Sequence, residues 1–189
     1  MTVLEPTAEE RAVARRAAES RATIPTVELT VELADGPALS AGRVIGACAG
    51  ALREHPRANA AYRDGRFELY SRVNVGVVAS DDDRYLIPTV FDADAKSEPE
   101  LEDEIERLAR EALAGRLTAS SFTGATFTVW HAARYGLASA AIPVVPPQAA
   151  ALAAGTQKLT LSCDHRILYG ARAAEFLQTI RSRLEPGGA

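Results

Sequence analysis

The chain has 189 residues, 47% of them apolar, which suits one domain, residues 1–189, with a buried core. Acidic and basic side chains are interspersed and the net charge is −4, so there is no basic footprint for nucleic acid and no polybasic patch for a membrane; neither partner is expected. The apolar runs are too short to span a bilayer and Met1 to Pro6 lacks the basic-then-apolar layout of a secretion signal, so a cytoplasmic location is expected.

Thr7-Ala8-Glu9-Glu10 has the spacing of a capping box and predicts a helix from about Ala8 to Ser20. That helix is alanine-rich and weakly apolar, so it must pack on something larger or fray. After Ile24-Pro25, Thr26 to Leu33 alternates: Val27, Leu29, Val31 and Leu33 inward, Thr26, Glu28, Thr30 and Glu32 outward, a strand with one wet face. Ala34-Asp35-Gly36-Pro37 is turn chemistry, and Ser40 caps a helix that buries Val44, Ile45, Cys48 and Leu52 and ends before Pro56. Asp64-Gly65 between Tyr62 and Phe67 signals a hairpin. Val73, Val75 and Val77 alternate, and Asp81-Asp82-Asp83 turns the chain into a strand over Tyr85 to Val90.

Ser97-Glu98-Pro99-Glu100 opens a helix with the stripe Leu101, Ile105, Leu108 and Ala112, stopping near Gly115. Thr126 to Val129 is a further strand, and Ile142 to Gln148, with three prolines, is a rigid extended connection. Ala149 to Ala154 and Lys158 to Cys163 flank a turn at Gly155-Thr156. The second of these alternates as a half-buried strand, with Leu159, Leu161 and Cys163 on one face. Arg172 to Leu184 is an amphipathic helix carrying Phe176, Leu177, Ile180 and Leu184. The order is that of an α+β sandwich, helices packed on a mixed sheet.

His165 stands where the Lys158 strand stops and before that last helix, so its imidazole can project into a cleft. It is the best candidate for chemistry, because histidine takes and returns a proton near neutral pH. Strand parity makes a Cys163–His165 nucleophilic pair conceivable, although residues two apart along a strand seldom orient for a mutual hydrogen bond. Cys48 and Cys163 are read as free thiols, and His55, His131 and His165 lie too far apart in sequence for a zinc pattern, so no metal is expected.

Asp164-His165-Arg166-Ile167-Leu168-Tyr169-Gly170 resembles the Asp-His-Arg-x-x-Asp-Gly signature of the 2-oxoacid dehydrogenase acyltransferase catalytic domain, within the chloramphenicol acetyltransferase-like superfamily. Further landmarks follow in family order: Ala51 to Pro56 with Asn59-Ala60, Val73 to Val77, Ile87 to Val90 with Asp92 to Asp94, Gly124 to Thr128, and Pro146 to Ala149. The resemblance implies a chloramphenicol acetyltransferase-like fold and a homotrimer with active sites between subunits. There His165 of one copy, the general base, would face residues around Trp130 of its neighbour. No bound cofactor is expected; an acyl-CoA, or an acyl carrier protein as partner, would deliver the acyl group to a small-molecule acceptor. Without lipoyl and subunit-binding domains, and without the apolar tail that carries trimers into cubes, a free trimer is expected.

The signature is broken at the chemistry. Trp130 stands where the family has the serine that donates to the oxyanion, His131 where asparagine is usual, and Tyr169 where an aspartate pairs with a first-helix arginine, here Arg16. Trp130 either lines a reshaped acceptor pocket and offers its indole N–H, or fills core or interface. His131 either replaces the missing donor or is a surface residue, and Thr128 either supplies a hydroxyl or packs in its strand. Asp164 and Arg166 hold the turn. The functional expectation is acyl transfer to a hydroxyl or thiol, with a polyketide- or tetronate-type intermediate as acceptor. The alternatives are a lapsed subunit that partners an active homologue, and a histidine-based elimination or cyclisation catalyst.

Overall fold

The computed structural model describes residues 2–34, 39–81 and 84–185. The turn residues Asp35, Gly36, Pro37, Asp82 and Asp83 and the Pro186–Ala189 tail lie outside the described residues. Four helices are present among them: α1 (Ala8–Thr23), α2 (Ala41–Glu54), α3 (Glu98–Leu113) and α4 (Ala171–Leu184). The strands are β1 (Thr26–Glu32), β2 (Ala60–Arg63), β3 (Arg66–Leu69), β4 (Val75–Val77), β5 (Ala79–Ser80), β6 (Tyr85–Leu86), β7 (Thr89–Val90), β8 (Phe127–His131), β9 (Ala150–Ala154) and β10 (Lys158–Asp164). No helix among the described residues is long and apolar enough to cross a membrane.

A six-stranded sheet in the order β1-β10-β9-β8-β4-β7 organises the molecule. It is mixed: β9, β8 and β4 run parallel, while β1, β10 and β7 pair antiparallel to their neighbours. One face carries Val75, Val77, Phe127, Val129, Leu152, Leu159, Leu161 and Cys163 into a core shared with α2, α3 and α4. The expected stripes land there: Val44, Ile45, Cys48 and Leu52 of α2, Leu101, Ile105, Leu108 and Ala112 of α3, and Phe176, Leu177, Ile180 and Leu184 of α4 are all buried. A Cβ at Gly42 would lie 2.7 Å from the Glu98 carbonyl oxygen, so the start of α2 can approach α3 this closely only as glycine.

The second face differs from the sequence reading. β10 is not half-wet: Thr160, Ser162 and Asp164 are buried as fully as Leu159 and Leu161. The irregular chain from Leu137 to Gln148 lies over the β8 part of this face and is stitched down at both ends. Lys158 and Gln157 donate to the Ala138 carbonyl at 3.1 Å, and Gln148 bridges to Ala61 and accepts from Thr128 Oγ1 at 2.8 Å. The residues expected to form one strand, Tyr85 to Val90, form two. Pro88 lies between β6 and β7, so β6 pairs β5 outside the main sheet and β7 pairs β4 within it, with Val77 N donating to the Pro88 carbonyl at 2.8 Å. The Asp64-Gly65 turn closes the β2–β3 hairpin with both residues at positive φ, 49° and 74°, as a two-residue turn requires.

α1 has the capping box read from Thr7 and Glu10 and runs three residues beyond the expected Ser20. Ser20 is its one fully buried residue, held by a 2.7 Å hydrogen bond to the Val144 carbonyl.

Candidate functional site

β10 ends on Asp164, whose amide donates to the Ala149 carbonyl at 2.8 Å, and the chain then turns sharply. The turn is built on a buried carboxylate. Asp164, 2% exposed, accepts from its neighbour Arg166 three times within 3.0 Å: backbone N at 2.9 Å, Nε at 2.9 Å and Nη2 at 2.6 Å. The pair holds the Arg166 guanidinium more firmly protonated than usual, and the guanidinium also lies 4.5 Å over the Tyr62 ring. The Asp164 carbonyl accepts from the amides of Ile167 and Leu168, both 2.9 Å, and those two side chains anchor in the core.

His165 is thereby turned outward. Its amide donates to the Pro25 carbonyl at 2.9 Å, which ties the turn to the exit of α1, and its ring lies 6.0 Å from that of exposed Tyr169. No hydrogen bond reaches the imidazole among the described residues, so both ring nitrogens are open to a substrate. An exposed imidazole on a clamped backbone can shuttle a proton to and from a bound molecule. Cys163 cannot join it: the thiol is fully buried in the core, faces the Leu168 carbonyl, and is pushed up to about 12 by burial.

The other candidates cluster on β8. Successive residues of a strand face opposite sides, so Thr128 and Trp130 share the second face while His131 points to the helices. Thr128 is buried and donates to Gln148 Oε1 at 2.8 Å. His131 hydrogen-bonds the Leu39 carbonyl through Nε2 at 2.9 Å, and burial holds its imidazole below the usual value, hence neutral with Nε2 as donor. Both side chains are therefore engaged in holding the fold, and neither has its donor free for an oxyanion. Trp130 does: its indole Nε1–H is buried with no partner, a state that costs about 1–3 kcal/mol.

Trp130 borders a cavity of about 270 Å³ between α1 and the chain at Ile142–Pro146. Val13, Arg16, Ala17 and Ser20 supply its α1 wall, and Ile87 and Val144 face it from other elements. Sequence reasoning picked out Trp130 and Arg16 but not Ser20 or the Ile142–Pro146 wall. The signal was present in the i, i+3, i+4, i+7 spacing of residues 13, 16, 17 and 20 on α1. Arg16 is exposed and has no ion pair or hydrogen bond among the described residues.

One chain does not bring His165 and Trp130 together. Trp130 pairs with Ala153 of β9, while the amide of Asp164, next to His165, bonds at Ala149. At about 3.3 Å per residue the two ends lie about 15 Å apart along the sheet. Arg16 falls with Trp130, Tyr169 with His165.

A sequence model of the 2-oxoacid dehydrogenases acyltransferase (catalytic domain) matches residues 40–187. The dihydrolipoyllysine-residue acetyltransferase component 3 of the mitochondrial pyruvate dehydrogenase complex of Arabidopsis thaliana is 30% identical over 93% of the chain, which spans 40% of that protein's length. The probable dihydrolipoamide acetyltransferase of Listeria monocytogenes superposes with a TM-score of 0.91 at 25% identity, covering 97% of this chain and 94% of that one. The cubic core of the pyruvate dehydrogenase multienzyme complex superposes at 0.90 and 23% identity over 97% and 91%. Chloramphenicol acetyltransferase shares the fold at 0.57 and 10% over 97% and 99%.

Proposed function

Because the chain belongs to the family of 2-oxoacid dehydrogenases acyltransferase catalytic domains, we propose that it moves an acyl group, acetyl in the first instance, from a CoA or carrier-protein thioester to a hydroxyl or thiol of a small molecule. The observation that carries the reading is His165: an exposed imidazole, with no partner among the described residues at either nitrogen, on a backbone fixed by the Asp164 turn and by Pro25.

In this reaction His165 removes the proton of the acceptor O–H or S–H as that atom adds to the thioester carbonyl carbon. The tetrahedral oxyanion then collapses, the C–S bond breaks, and the departing thiolate takes the proton back from the imidazolium. The oxyanion needs a hydrogen-bond donor while it exists. Of the three β8 candidates, Trp130 Nε1–H is the one with no partner among the described residues, but it lies about 15 Å from His165 in the same chain. The reading therefore includes a homotrimer in which Trp130 of one copy completes the site of His165 in the next. The cubic core of the pyruvate dehydrogenase complex is a precedent for assembly on this fold. A polyketide- or tetronate-type intermediate is the proposed acceptor class.

The test is acetyl-CoA turnover by the purified protein beside His165→Ala. The variant should lose at least a hundredfold, within the ~10²–10⁴ carried by general base catalysis; equal rates would overturn the assignment of His165. The lapsed-subunit reading is favoured by Trp130 and Tyr169 in place of a hydroxyl and a carboxylate. It predicts no turnover by the chain alone and turnover only after mixing with an active homologue.

A further inference from the structure

The α1 cavity has an unbalanced wall. Most of it is apolar, lined by Val13, Ala17, Ile87, Ile142 and Val144. Its uncommitted polar groups include two strong donors. The Trp130 indole N–H is buried and unpartnered, and the Arg16 guanidinium, exposed at the same cavity, has no counter-charge among the described residues. The Ser20 hydroxyl is already spent on the Val144 carbonyl, and no carboxylate among the described residues borders the space. A wall of this kind repels cations, leaves an N–H unsatisfied beside a neutral alkane, and is completed by oxygen acceptors carrying negative charge on an apolar body. The volume of about 270 Å³ lies just under the ~300–1,000 Å³ of sites for drug-sized ligands, so the occupant is small.

We infer that this cavity binds a small organic carboxylate whose apolar body also carries a hydroxyl or thiol, its charge facing Arg16 and one oxygen accepting from Trp130 Nε1–H, and that this hydroxyl or thiol is the acyl acceptor; the carboxylate stays on Arg16 when the indole N–H turns to the oxyanion as that charge forms. The assignment as acceptor rests on the acyl-transfer reading above; the binding of the anion does not. Trp130 replaces a small hydroxyl-bearing residue by resemblance, and its bulk shapes the cavity while its N–H selects for an acceptor atom. Arg16, with no counter-charge among the described residues, is left to the ligand.

Trp130 is the sole tryptophan, so intrinsic fluorescence reports directly on the cavity wall. The purified full chain is titrated with hexanoate, hexan-1-ol and hexylamine, three probes of one shape and different charge. Hexanoate should shift the emission saturably at a concentration at least tenfold below that of hexanol, and hexylamine should give no saturable shift. Arg16→Gln, an exposed change on a helix, should bring hexanoate to the level of hexanol. Trp130→Phe, followed by calorimetry, should weaken hexanoate at least fivefold.

Equal responses to hexanoate and hexanol, or an unchanged hexanoate affinity in Arg16→Gln, overturn the proposal. So does a flat titration with all three probes, the result expected if a second copy of the chain fills the space. Acetyl-CoA turnover is read separately. Its absence with the hexanoate titration intact sinks the acyl-transfer reading and leaves the anion site standing, and the converse pattern sinks the anion site alone.

Discussion

Arg166→Ala removes the counter-charge of a carboxylate that cannot reach water. Asp164 is 2% exposed, and in the variant three side-chain hydrogen bonds, at 2.9, 3.1 and 2.6 Å, disappear while only the backbone amide of residue 166, at 2.9 Å, remains. Breaking a buried ion pair from one side costs about 3–5 kcal/mol. Arg166 itself is about a third exposed, 35%, which places the expectation near the lower end, about 3 kcal/mol. Asp164→Asn keeps the oxygen that accepts the amide and leaves the guanidinium free to turn to solvent, so it should cost less, about 1–2 kcal/mol. The double variant buries no charge and should therefore be more stable than Arg166→Ala alone, a coupling of the kind found between contacting residues. Urea unfolding followed by Trp130 fluorescence at one protein concentration measures all three; with m near ~2 kcal/mol/M, the Arg166→Ala midpoint falls by about 1.5 M. A loss below about 1 kcal/mol, or a double variant worse than Arg166→Ala, would refute the claim that a buried charge closes the His165 turn.

Gly155→Ala should lower stability by at least the ~1–3 kcal/mol of overpacking, because the added Cβ would lie 2.3 Å from the Ala138 carbonyl oxygen; a melting temperature within a degree of the parent would contradict it. His131, held below its ordinary value by burial, makes the unfolded chain bind the proton first as pH falls. Its contribution is complete above the unfolded value of about 6.5 and is lost as pH drops through that value toward the folded one, so His131→Gln should flatten the stability profile as pH falls below about 6.5; an unchanged slope argues against a buried neutral imidazole. Both cysteines are fully buried and burial raises both thiols, Cys163 to about 12, so a disulfide reagent at pH 8 should label neither in the native protein and both in urea. Rapid native labelling would mean that the core opens.

The helices were legible because each buries one stripe against a continuous core. Leu101, Ile105, Leu108 and Ala112 could face nothing else, and the structure buries those four and no other residue of α3. The second face of the sheet was not legible, for the opposite reason. Part of its cover, Leu137 to Gln148, has no period, and Thr160 and Ser162, which in a strand otherwise read as solvent-facing, are buried. Tyr85 to Val90 misled in the same way, since alternation cannot say that Pro88 hands one half to a different sheet.

The same blind spot decides what could be known of the site. His165 follows from local chemistry, a turn closed by the two residues on either side of it, and local chemistry is written in consecutive residues. The cavity at Trp130 is assembled from α1, β8 and the aperiodic Ile142–Pro146 segment, residues more than a hundred positions apart. No window of sequence contains it. The fate of His131 and Thr128 was equally non-local: each was a free donor on paper until Leu39 and Gln148 arrived to accept from it. By elimination among those strand donors, the only one left without a partner is the indole N–H of Trp130. A protein that keeps a buried N–H unpaired at a cost of about 1–3 kcal/mol, beside an arginine without a counter-charge, among the described residues in both cases, has left room for an acceptor that those residues do not supply.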